Sequence, residues 1–326
     1  MFDCQWSPVD GVKAAGSATR PCIPAAGFGR HAKGMVSDFK GGGVRPARVE
    51  WACVRRRSMR RLRQPQTMEA DEYVKLVAVE DRMWYFRALH AHVARALDGG
   101  DLPEDANVLD AGCGTGGLLR RLSGLHPGWK WTGVDLSPAA CRFARERAGP
   151  TTEIKEASVT ALPFPDASFD ALVSADALYH VADDAAALRE FARVLRPGGI
   201  VVVNVPAYRW LWSYHDDAVH SCRRYGRREV LAKLGGAGFS GTEATFWNTL
   251  PFPLIVARRK LLPRPRGGSD VRLFPPAVEA AFNLAMAVER AWLRGGGSLP
   301  FGVSIFAVGR KPAVGPAASE RPGAQS

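Results

Sequence analysis

The sequence predicts an α/β fold in which a doubly wound, mostly parallel sheet carries helices on both faces. Short apolar segments alternate with segments of helical periodicity between residues 107 and 205, and a glycine-rich turn follows the first apolar segment. Parallel strands need helical crossovers, and a sheet that is covered on both faces has strands that are apolar along their length. The alternation therefore indicates consecutive βαβ units.

Each element follows from its own pattern. Between Glu69 and Leu97 apolar residues recur at helical spacing, which predicts one or two helices before the sheet. The apolar runs predict strands at Asn107–Ala111, Lys130–Val134, Glu153–Ala157, Phe169–Ser174, Ile200–Val205, Thr242–Phe246 and Gly302–Val308. The helices predicted between and after them are Gly117–Leu125, Pro138–Ala148, Asp183–Leu195, Arg228–Leu234 and Ala277–Leu293. Residues 196–199 (Arg-Pro-Gly-Gly) end the third of these helices and lead into the fifth strand.

Composition divides the chain into three parts. Residues 1–67 are rich in Gly, Pro, Ala and Arg and lack periodicity, which predicts a disordered basic extension, with Met68 as an alternative translation start. Residues 68–312 form the predicted domain, and about residues 250–299 are an insertion between its last two strands. Residues 313–326 are predicted to be a disordered tail.

The net charge of +12 is concentrated in the extension, with 13 Lys and Arg against 4 Asp and Glu in residues 1–67 and 31 against 28 in the rest. A near-neutral body disfavours nucleic acid as its partner. The six cysteines show neither a CxxC pair nor metal-ligand spacing, so no disulfide framework and no metal site is expected. No apolar run approaches the roughly 20 residues of a membrane span, and no secretory signal opens the chain. The expected location is the cytoplasm.

The strongest motif is the glycine-rich turn after the first strand. Asp110 ends an apolar strand, and Gly112, Gly114 and Gly117 follow in the turn. Glycine allows a tight turn and close approach of the backbone to a ligand. The order of strand, glycine loop and helix is typical of nucleotide-type ligands.

This spacing also fits a dinucleotide such as NAD, so the charge of Asp110 has to distinguish the ligands. A carboxylate at this position repels a pyrophosphate bound at the helix N-terminus and suits a cationic group, such as the amine of a methionine moiety. Asp135 ends the second strand, where a carboxylate can accept hydrogen bonds from both hydroxyls of a ribose. The alternative role for Asp135 is to cap the next helix, for which Ser137 competes.

Four motifs make residues 106–205 resemble the class I S-adenosylmethionine-dependent methyltransferases, in the group that includes quinone and other small-molecule methyltransferases. The matching stretches are LDAGCGTG at 109–116, GVDLS at 133–137, ALPFPDASFD at 161–170 and RVLRPGG at 193–199. The resemblance implies a Rossmann-like, seven-stranded sheet whose last two strands form a hairpin, so that one strand is antiparallel. It also implies S-adenosylmethionine as the methyl donor and an insertion that covers the acceptor.

The resemblance implies a cofactor site formed by Asp110, Gly112, Cys113, Gly114, Asp135, Leu136, Ser158, Val159 and Asp176. In this assignment the glycine loop and Asp110 hold the methionine portion and Asp135 holds the ribose. Ser158 stands where many relatives have Asp, and a neutral hydroxyl is the weaker partner for the adenine amino group. Val159 supplies a backbone donor to the adenine ring.

Two segments are candidates for the acceptor site. Residues 80–87 (EDRMWYFR) resemble a leading helix of a bacterial subgroup that acts on saccharide- or lipid-linked acceptors. An aromatic face such as that of Trp84 attracts a sulfonium, although packing against the sheet is the alternative role. Residues 212–225 follow the fifth strand, at the sheet edge where such folds bind ligands. The acceptor residues expected there are Asp216, Arg223, Arg224 and Tyr225, and the candidate bases are His215, His220, His180 and Tyr179.

The sequence therefore predicts in-line methyl transfer to a small-molecule, saccharide- or lipid-linked acceptor. A non-catalytic cofactor-binding module or regulatory partner is the first alternative, and an NAD-dependent reductase is another. A nucleic-acid methyltransferase is disfavoured, because residues 176–179 read Asp-Ala-Leu-Tyr instead of Asn/Asp-Pro-Pro-aromatic.

Peripheral membrane contact is a further expectation for the helix at Ala277–Leu293, with core packing as the alternative. In this interpretation Phe282, Met286 and Trp292 lie on the side opposite Glu279, Glu289 and Arg290.

Overall fold

Seven strands form one mixed sheet in the order β3-β2-β1-β4-β5-β7-β6. The computed structural model describes residues 70–263 and 269–313, and these strands all lie within them. The strands are β1 (Asn107–Ala111), β2 (Lys130–Asp135), β3 (Glu153–Glu156), β4 (Phe169–Ala175), β5 (Leu195–Pro206), β6 (Ser240–Trp247) and β7 (Ser304–Arg310). The first five run parallel, and β7 is antiparallel to both of its neighbours, β5 and β6. The predicted sheet with one antiparallel strand is confirmed.

The helices follow the predicted order. They are α1 (Ala70–Val79), α2 (Trp84–Asp98), α3 (Gly117–Leu125), α4 (Pro138–Arg147), α5 (Asp184–Val194), α6 (Tyr214–Ala218), α7 (Arg227–Gly236), α8 (Phe252–Val256) and α9 (Pro276–Arg294). The short α6 and α8 were not predicted, because five residues are too few to show a helical period. Short 3-10 turns follow β4 and β5, and a π-helical turn, Ala257–Leu261, continues α8.

One boundary differs in kind from the prediction. β5 begins at Leu195, so residues 196–199 lie within the strand and not before it. Phe169 pairs with Leu195 and Ala171 with Ile200, which leaves a bulge in β5 between these pairs. Gly198 lies in that bulge with φ +84°, a conformation that glycine adopts without strain.

The alternation of β5 side chains shows that helices cover both faces of the sheet. Ile200 and Val202 pack in the core that includes α2 and α3, whereas Val201 and Val203 pack with α5 and α7. All four side chains are buried. Successive side chains of a strand point to opposite faces, so a wholly apolar strand requires a core on each side.

The insertion between β6 and β7 forms a cap made of α8, its π-helical turn and α9. The predicted faces of α9 were wrong. Glu279, Phe282, Met286, Glu289 and Leu293 form one stripe at spacings of three and four residues, and Met286 and Glu289 are 0% and 3% exposed. Trp292 lies on the outer side and is 60% exposed. No helix among the described residues is long and apolar enough to cross a membrane.

Carboxylates on the inner stripe of α9 attach the cap to the body. Oε2 of Glu279 accepts a hydrogen bond from the backbone N of Trp84 at 2.9 Å, and Oε1 accepts one from the N of Phe274 at 3.1 Å. Met83 precedes α2 and offers no side-chain cap, so Glu279 satisfies a helix N-terminus that would otherwise lack an acceptor. Glu289 accepts from the N of Leu250 at 2.7 Å.

The first prediction concerns this attachment. Glu279→Ala removes both acceptors and should lower the free energy of unfolding by about 1 to 2 kcal/mol, as measured by chemical denaturation. Glu279→Gln keeps only one acceptor oxygen, so its free energy of unfolding should lie between those of the parent protein and Glu279→Ala. The exposed Glu146→Ala is the matched control and should change stability by less than about 0.5 kcal/mol. Equal losses for Glu279→Ala and Glu146→Ala would contradict the role of Glu279.

Candidate active site

A cavity of about 680 Å³ lies at the carboxyl edge of the sheet, between the ends of β1, β2 and β4 and the cap. This volume is within the range of small-molecule and cofactor sites. The predicted cofactor residues all line it: Asp110, Gly112, Cys113, Gly114, Asp135, Leu136, Ser158, Val159 and Asp176. The folds of this type place ligands at the same edge, where neighbouring parallel strands diverge.

Asp110 supplies an unpaired carboxylate to this cavity. The residue is 2% exposed, and its Oδ1 has no hydrogen-bond partner among the described residues. Burial raises the pKa of Asp110 to about 8, and the nearby carboxylates of Glu80 and Asp135 add to this shift. A buried carboxylate without a partner is costly, so the position is suited to a ligand that brings a cation.

The glycine loop leaves room beside Asp110. Gly112 has φ +91°, and a Cβ added to it would lie 2.2 Å from the Cβ of Ala177, so no other residue fits there. Gly114 has φ +52° and open space where a side chain would project. Its backbone N donates to Oδ2 of Asp135 at 2.9 Å. The loop therefore exposes backbone to the cavity and fixes the next carboxylate.

Ser137, and not Asp135, caps the helix that follows β2. Ser137 is the N-cap of α4 and accepts from the N of Ala140 at 3.3 Å. Asp135 accepts from the N of Gly114 and the N of Ser137, each at 2.9 Å, and lines the cavity. Burial raises the pKa of Asp135, opposed by these backbone hydrogen bonds. Its carboxylate is thereby held in one orientation at the end of β2.

Glu80 closes the acidic side of the cavity behind the glycine loop. Its Oε2 accepts from the hydroxyl of Thr115 at 2.6 Å and pairs with Arg147 at 2.5 Å. Burial raises the pKa of Glu80, and Arg147 opposes that shift. Unlike Asp110, this carboxylate already has its partners within the protein.

A hydrogen-bonded network that the sequence did not indicate lies at the end of β4. Asp176 accepts from the hydroxyl of Tyr85 and from the Nδ2 of Asn204, both at 2.7 Å. Asn204 in turn accepts from Nε1 of Trp247 at 2.8 Å, and the ring of Trp247 stacks on that of Tyr85 at 5.1 Å. Burial raises the pKa of Asp176 to about 6, and these two hydrogen bonds hold it from rising further. The only sequence feature related to this network was the position of Tyr85 among the aromatic residues at the start of a helix.

The half of the cavity under the cap contains most of the predicted acceptor residues. Trp84, Tyr179, His180, His215, Asp216 and Arg224 line it. Burial lowers the pKa of both His180 and His215 to about 4, so both imidazoles are neutral at pH 7. Nδ1 of His215 accepts from the backbone N of Asp270 at 3.1 Å, which leaves the proton of the neutral ring on Nε2.

Arg223 and Tyr225 do not line the cavity, and this corrects their predicted placement. Residues 223–225 are extended, with Tyr225 bridged to Ala207, so alternate side chains point to opposite sides. Arg224 faces the cavity and pairs with Asp216 at 2.6 Å. Arg223 and Tyr225 bind Asp184 on the other side, at 3.0 and 2.9 Å.

His220 is also outside the lining residues. Its backbone forms a hydrogen bond with His180, which does line the cavity. His220 therefore contacts the site through another residue.

Comparison with known proteins agrees with this architecture. The methyltransferase domain family matches residues 109–203. A 2-methyl-6-phytyl-1,4-hydroquinone methyltransferase of Synechocystis is 40% identical over 118 residues, which are 36% of this chain and 35% of that protein. A demethylmenaquinone methyltransferase of Chlorobaculum parvum is 34% identical over 202 residues, which are 60% of this chain and 79% of that protein.

Among solved structures, a chain of the complex between the Haloferax volcanii Trm112 methyltransferase activator and a methyltransferase superposes with a TM-score of 0.52. It is 25% identical, and the match covers 76% of this chain and 99% of that one. The mostly parallel sheet, the glycine loop and the carboxylates at the sheet edge define a Rossmann-like fold with a site for a nucleotide-type ligand. The chain belongs to the class I S-adenosylmethionine-dependent methyltransferase family. It is homologous to the quinone methyltransferases, although it spans only about a third of the length of the Synechocystis relative.

S-adenosylmethionine is the methyl donor of this family, and the site residues fit it. The unpaired Oδ1 of Asp110 suits the donor's amine, and the open backbone of Gly112 and Gly114 leaves room for the methionine portion. Asp135 is placed one strand away, as a ribose partner requires. Ser158 lines the cavity, where its hydroxyl is within 2.8 Å of the hydroxyl of Thr160.

The second prediction tests Asp110. With a pKa near 8 this carboxyl is mostly protonated in the free protein at pH 7, and a bound amine should ionise it. Binding of S-adenosylmethionine should therefore release close to one proton, measured by calorimetry in buffers of different ionisation heat. Asp110→Asn should abolish this release and weaken binding at least tenfold, whereas exposed Asp105→Asn should change neither. Unchanged proton release in Asp110→Asn would contradict the assignment.

The same carboxyl sets a pH dependence of stability without ligand. Folding raises the pKa of Asp110, so its contribution to stability is greatest below its unfolded value near 3.9 and declines as the pH rises toward 8. Thermal unfolding of Asp110→Asn should therefore show its largest gain over the parent protein at pH 8 and a small one at pH 4.

Proposed function

We propose that this protein transfers the methyl group of S-adenosylmethionine to a small-molecule acceptor with an apolar body. The observation that carries this proposal is the unpaired carboxylate of Asp110, which opens into the same cavity as an aromatic chamber under the cap. A donor site continuous with a second chamber supports transfer, since a module that only binds the donor needs no such chamber.

Apolar side chains from the body and from the cap line the chamber. They are Met83, Trp84, Phe86, Leu89, Ile255, Val271, Phe274 and Phe282. The rings of Trp84 and Phe282 lie 4.9 Å apart, so the cap packs directly on α2. Such walls favour an aromatic or aliphatic acceptor and exclude water. The names of the two relatives, a hydroquinone and a demethylmenaquinone methyltransferase, support an acceptor of this kind.

S-adenosylmethionine supplies an electrophilic methyl group carried on a sulfonium. The chain's contribution is to hold the acceptor in line and to handle the proton that a hydroxyl or another protonated acceptor atom loses. The aromatic walls fix the acceptor body. Asp110, the glycine loop and Asp135 fix the donor side.

Asp176 is the group best suited to take the proton. With a pKa of about 6 it is ionised at pH 7 and still basic, whereas His180 and His215 have pKa values of about 4. His215 carries its proton on Nε2 and so donates to an acceptor group instead of accepting from it. Burial raises the pKa of Tyr179 far above neutral, so its hydroxyl is also a donor. Asp176 therefore replaces His180 and His215 as the proposed base.

The cap also supports a lipid-linked acceptor. Leu254 is 63% exposed and also lines the cavity, so the cavity opens beside an apolar surface. Leu261 and Leu262 on the same segment are exposed, and the exposed Lys260 stands next to them. An apolar edge beside a cation suits contact with the headgroup region of an anionic membrane.

The third prediction tests the function itself. With S-adenosylmethionine labelled on its methyl group and a bacterial lipid extract in vesicles, the full chain should transfer label into the organic phase. Asp110→Asn should lower this rate at least tenfold at subsaturating donor, in line with its weaker donor binding. The double variant Leu261→Ser with Leu262→Ser should slow methyl transfer when the extract is presented in vesicles, but not when it is dissolved in detergent. Tight binding of S-adenosylmethionine without transfer of label to the extract would contradict a lipid acceptor.

The fourth prediction concerns Asp176. If it accepts the proton, kcat/KM should fall as the pH drops through about 6, because protonation removes the base. Asp176→Asn should lose this limb together with most of the rate. Tyr85→Phe removes a hydrogen bond that lowers the pKa of Asp176, so the limb should move to higher pH. A limb at the same pH in Tyr85→Phe would show that another group titrates.

A further inference from the structure

The cap half of the cavity contains a buried guanidinium with a free donor. The side chain of Arg259 is 8% exposed and lies on the π-helical turn after α8. Its Nε and Nη2 both donate to Oδ2 of Asp270, at 3.1 and 2.9 Å. Its Nη1 is buried and has no hydrogen-bond partner within residues 70–263 and 269–313. A charged donor left unpaired inside a ligand cavity is costly and points to a ligand that accepts from it.

Both carboxylate oxygens of Asp270 already accept hydrogen bonds. Its Oδ1 accepts from the hydroxyl of Tyr214, and its Oδ2 accepts twice from Arg259. Its backbone N donates to His215. Asp270 thus orients the guanidinium of Arg259 but does not pair with its Nη1.

Two arginines that line the cavity from the cap have no ion-pair partner among the described lining residues. Arg224 pairs with Asp216 at 2.6 Å, and both side chains are 2% exposed. With Arg259 matched by Asp270, two further lining arginines, Arg258 and Arg272, have no lining carboxylate as a partner among the described residues.

Aromatic rings orient both surplus arginines. The guanidinium of Arg258 lies 5.2 Å from the ring centre of Tyr214, and that of Arg272 lies 5.5 Å from the ring centre of Phe274. Aromatic faces hold such groups without neutralising their charge. The surplus positive charge therefore stays available to a ligand.

The charged residues are therefore distributed unevenly around the cavity. The carboxylates Asp110, Asp135 and Asp176 lie at the ends of β1, β2 and β4, whereas Arg258, Arg259 and Arg272 lie in the insertion that forms the cap. A cationic donor at the acidic edge and an anionic acceptor group at the basic end match this distribution. The Nε2–H of His215 adds a neutral donor on the basic side.

We propose that the acceptor is an amphipathic anion, whose carboxylate or phosphate binds Nη1 of Arg259 with help from Arg258 and Arg272. This inference rests on the proposed methyl transfer, because it names the acceptor of that site. The apolar body of the acceptor fills the chamber of Trp84 and Phe282 and orients the methylated atom toward Asp176. Guanidinium groups bind both carboxylates and phosphates in this manner.

Binding of three twelve-carbon probes tests the proposal. Dodecyl phosphate, laurate and dodecanol share one chain and differ in the headgroup, and their affinities are measured by calorimetry with saturating S-adenosylhomocysteine. At least one anion should bind tenfold or more tightly than dodecanol, and the preference should weaken as salt is added. Preference for dodecyl phosphate or for laurate then identifies the acceptor's group. Equal affinities for all three probes would overturn the proposal.

Variants locate the subsite. Arg259→Gln should reduce anion affinity more than tenfold while leaving dodecanol affinity within twofold, and Arg259→Lys should recover part of the loss. Because Arg259→Gln also unpairs Asp270, the double variant Arg258→Gln with Arg272→Gln keeps that pair and should still reduce anion affinity about fivefold. The exposed Arg142→Gln is the matched control. Loss of anion and alcohol binding together would show a merely structural effect and refute the subsite.

The two hypotheses fail differently. If S-adenosylhomocysteine does not bind, the proposed methyl transfer fails, and the probes then report on an anion site alone. If it binds and labelled methyl is transferred, but no variant at Arg259, Arg258 or Arg272 alters the preference between probes, only the anionic acceptor is refuted.

Discussion

A buried carboxylate without a partner destabilises a protein unless something outside the chain compensates it, and the organisation of this site depends on that constraint at Asp110. The neighbouring carboxylates are already satisfied, Asp135 by backbone N–H groups and Glu80 by Arg147 and Thr115. Of these three carboxylates, Asp110 alone has a buried oxygen without a hydrogen-bond partner among the described residues. This oxygen is suited to a cationic group of a ligand, and the glycine loop beside it leaves space for that ligand.

The donor half could be predicted from the sequence because its determinants are local. Asp110 and Gly112 are two residues apart, and Asp135 ends the next strand, so a strand–loop–helix pattern suffices to place all three. The acceptor half depends on contacts between distant residues. The hydroxyl of Tyr85 meets Asp176 across 91 residues, and the N of Trp84 meets Glu279 across 195. No spacing along the chain reports such pairs.

The errors have equally specific causes. Arg223 and Tyr225 alternate with Arg224 in an extended segment, so a cluster of polar residues in the sequence is split between two sides of the chain. On α9 the heptad spacing of Glu279, Met286 and Leu293 places a carboxylate on the apolar stripe. That carboxylate was predicted to lie opposite Phe282 and Met286, whereas in the structure it shares their stripe and accepts from the backbone N–H groups of Trp84 and Phe274.

The two halves of the cavity are therefore held by different kinds of structure. The donor half is formed by strand ends within the sheet, where a shift of one residue would turn side chains to the opposite face. The half under the cap includes the insertion, which packs Phe282 and the buried Met286 against the body and adds hydrogen bonds from Glu279 and Glu289. Arg258 and Arg259 lie on its π-helical turn. Substitutions in the cap can change the charge and shape offered to an acceptor without moving Asp110 or Asp135.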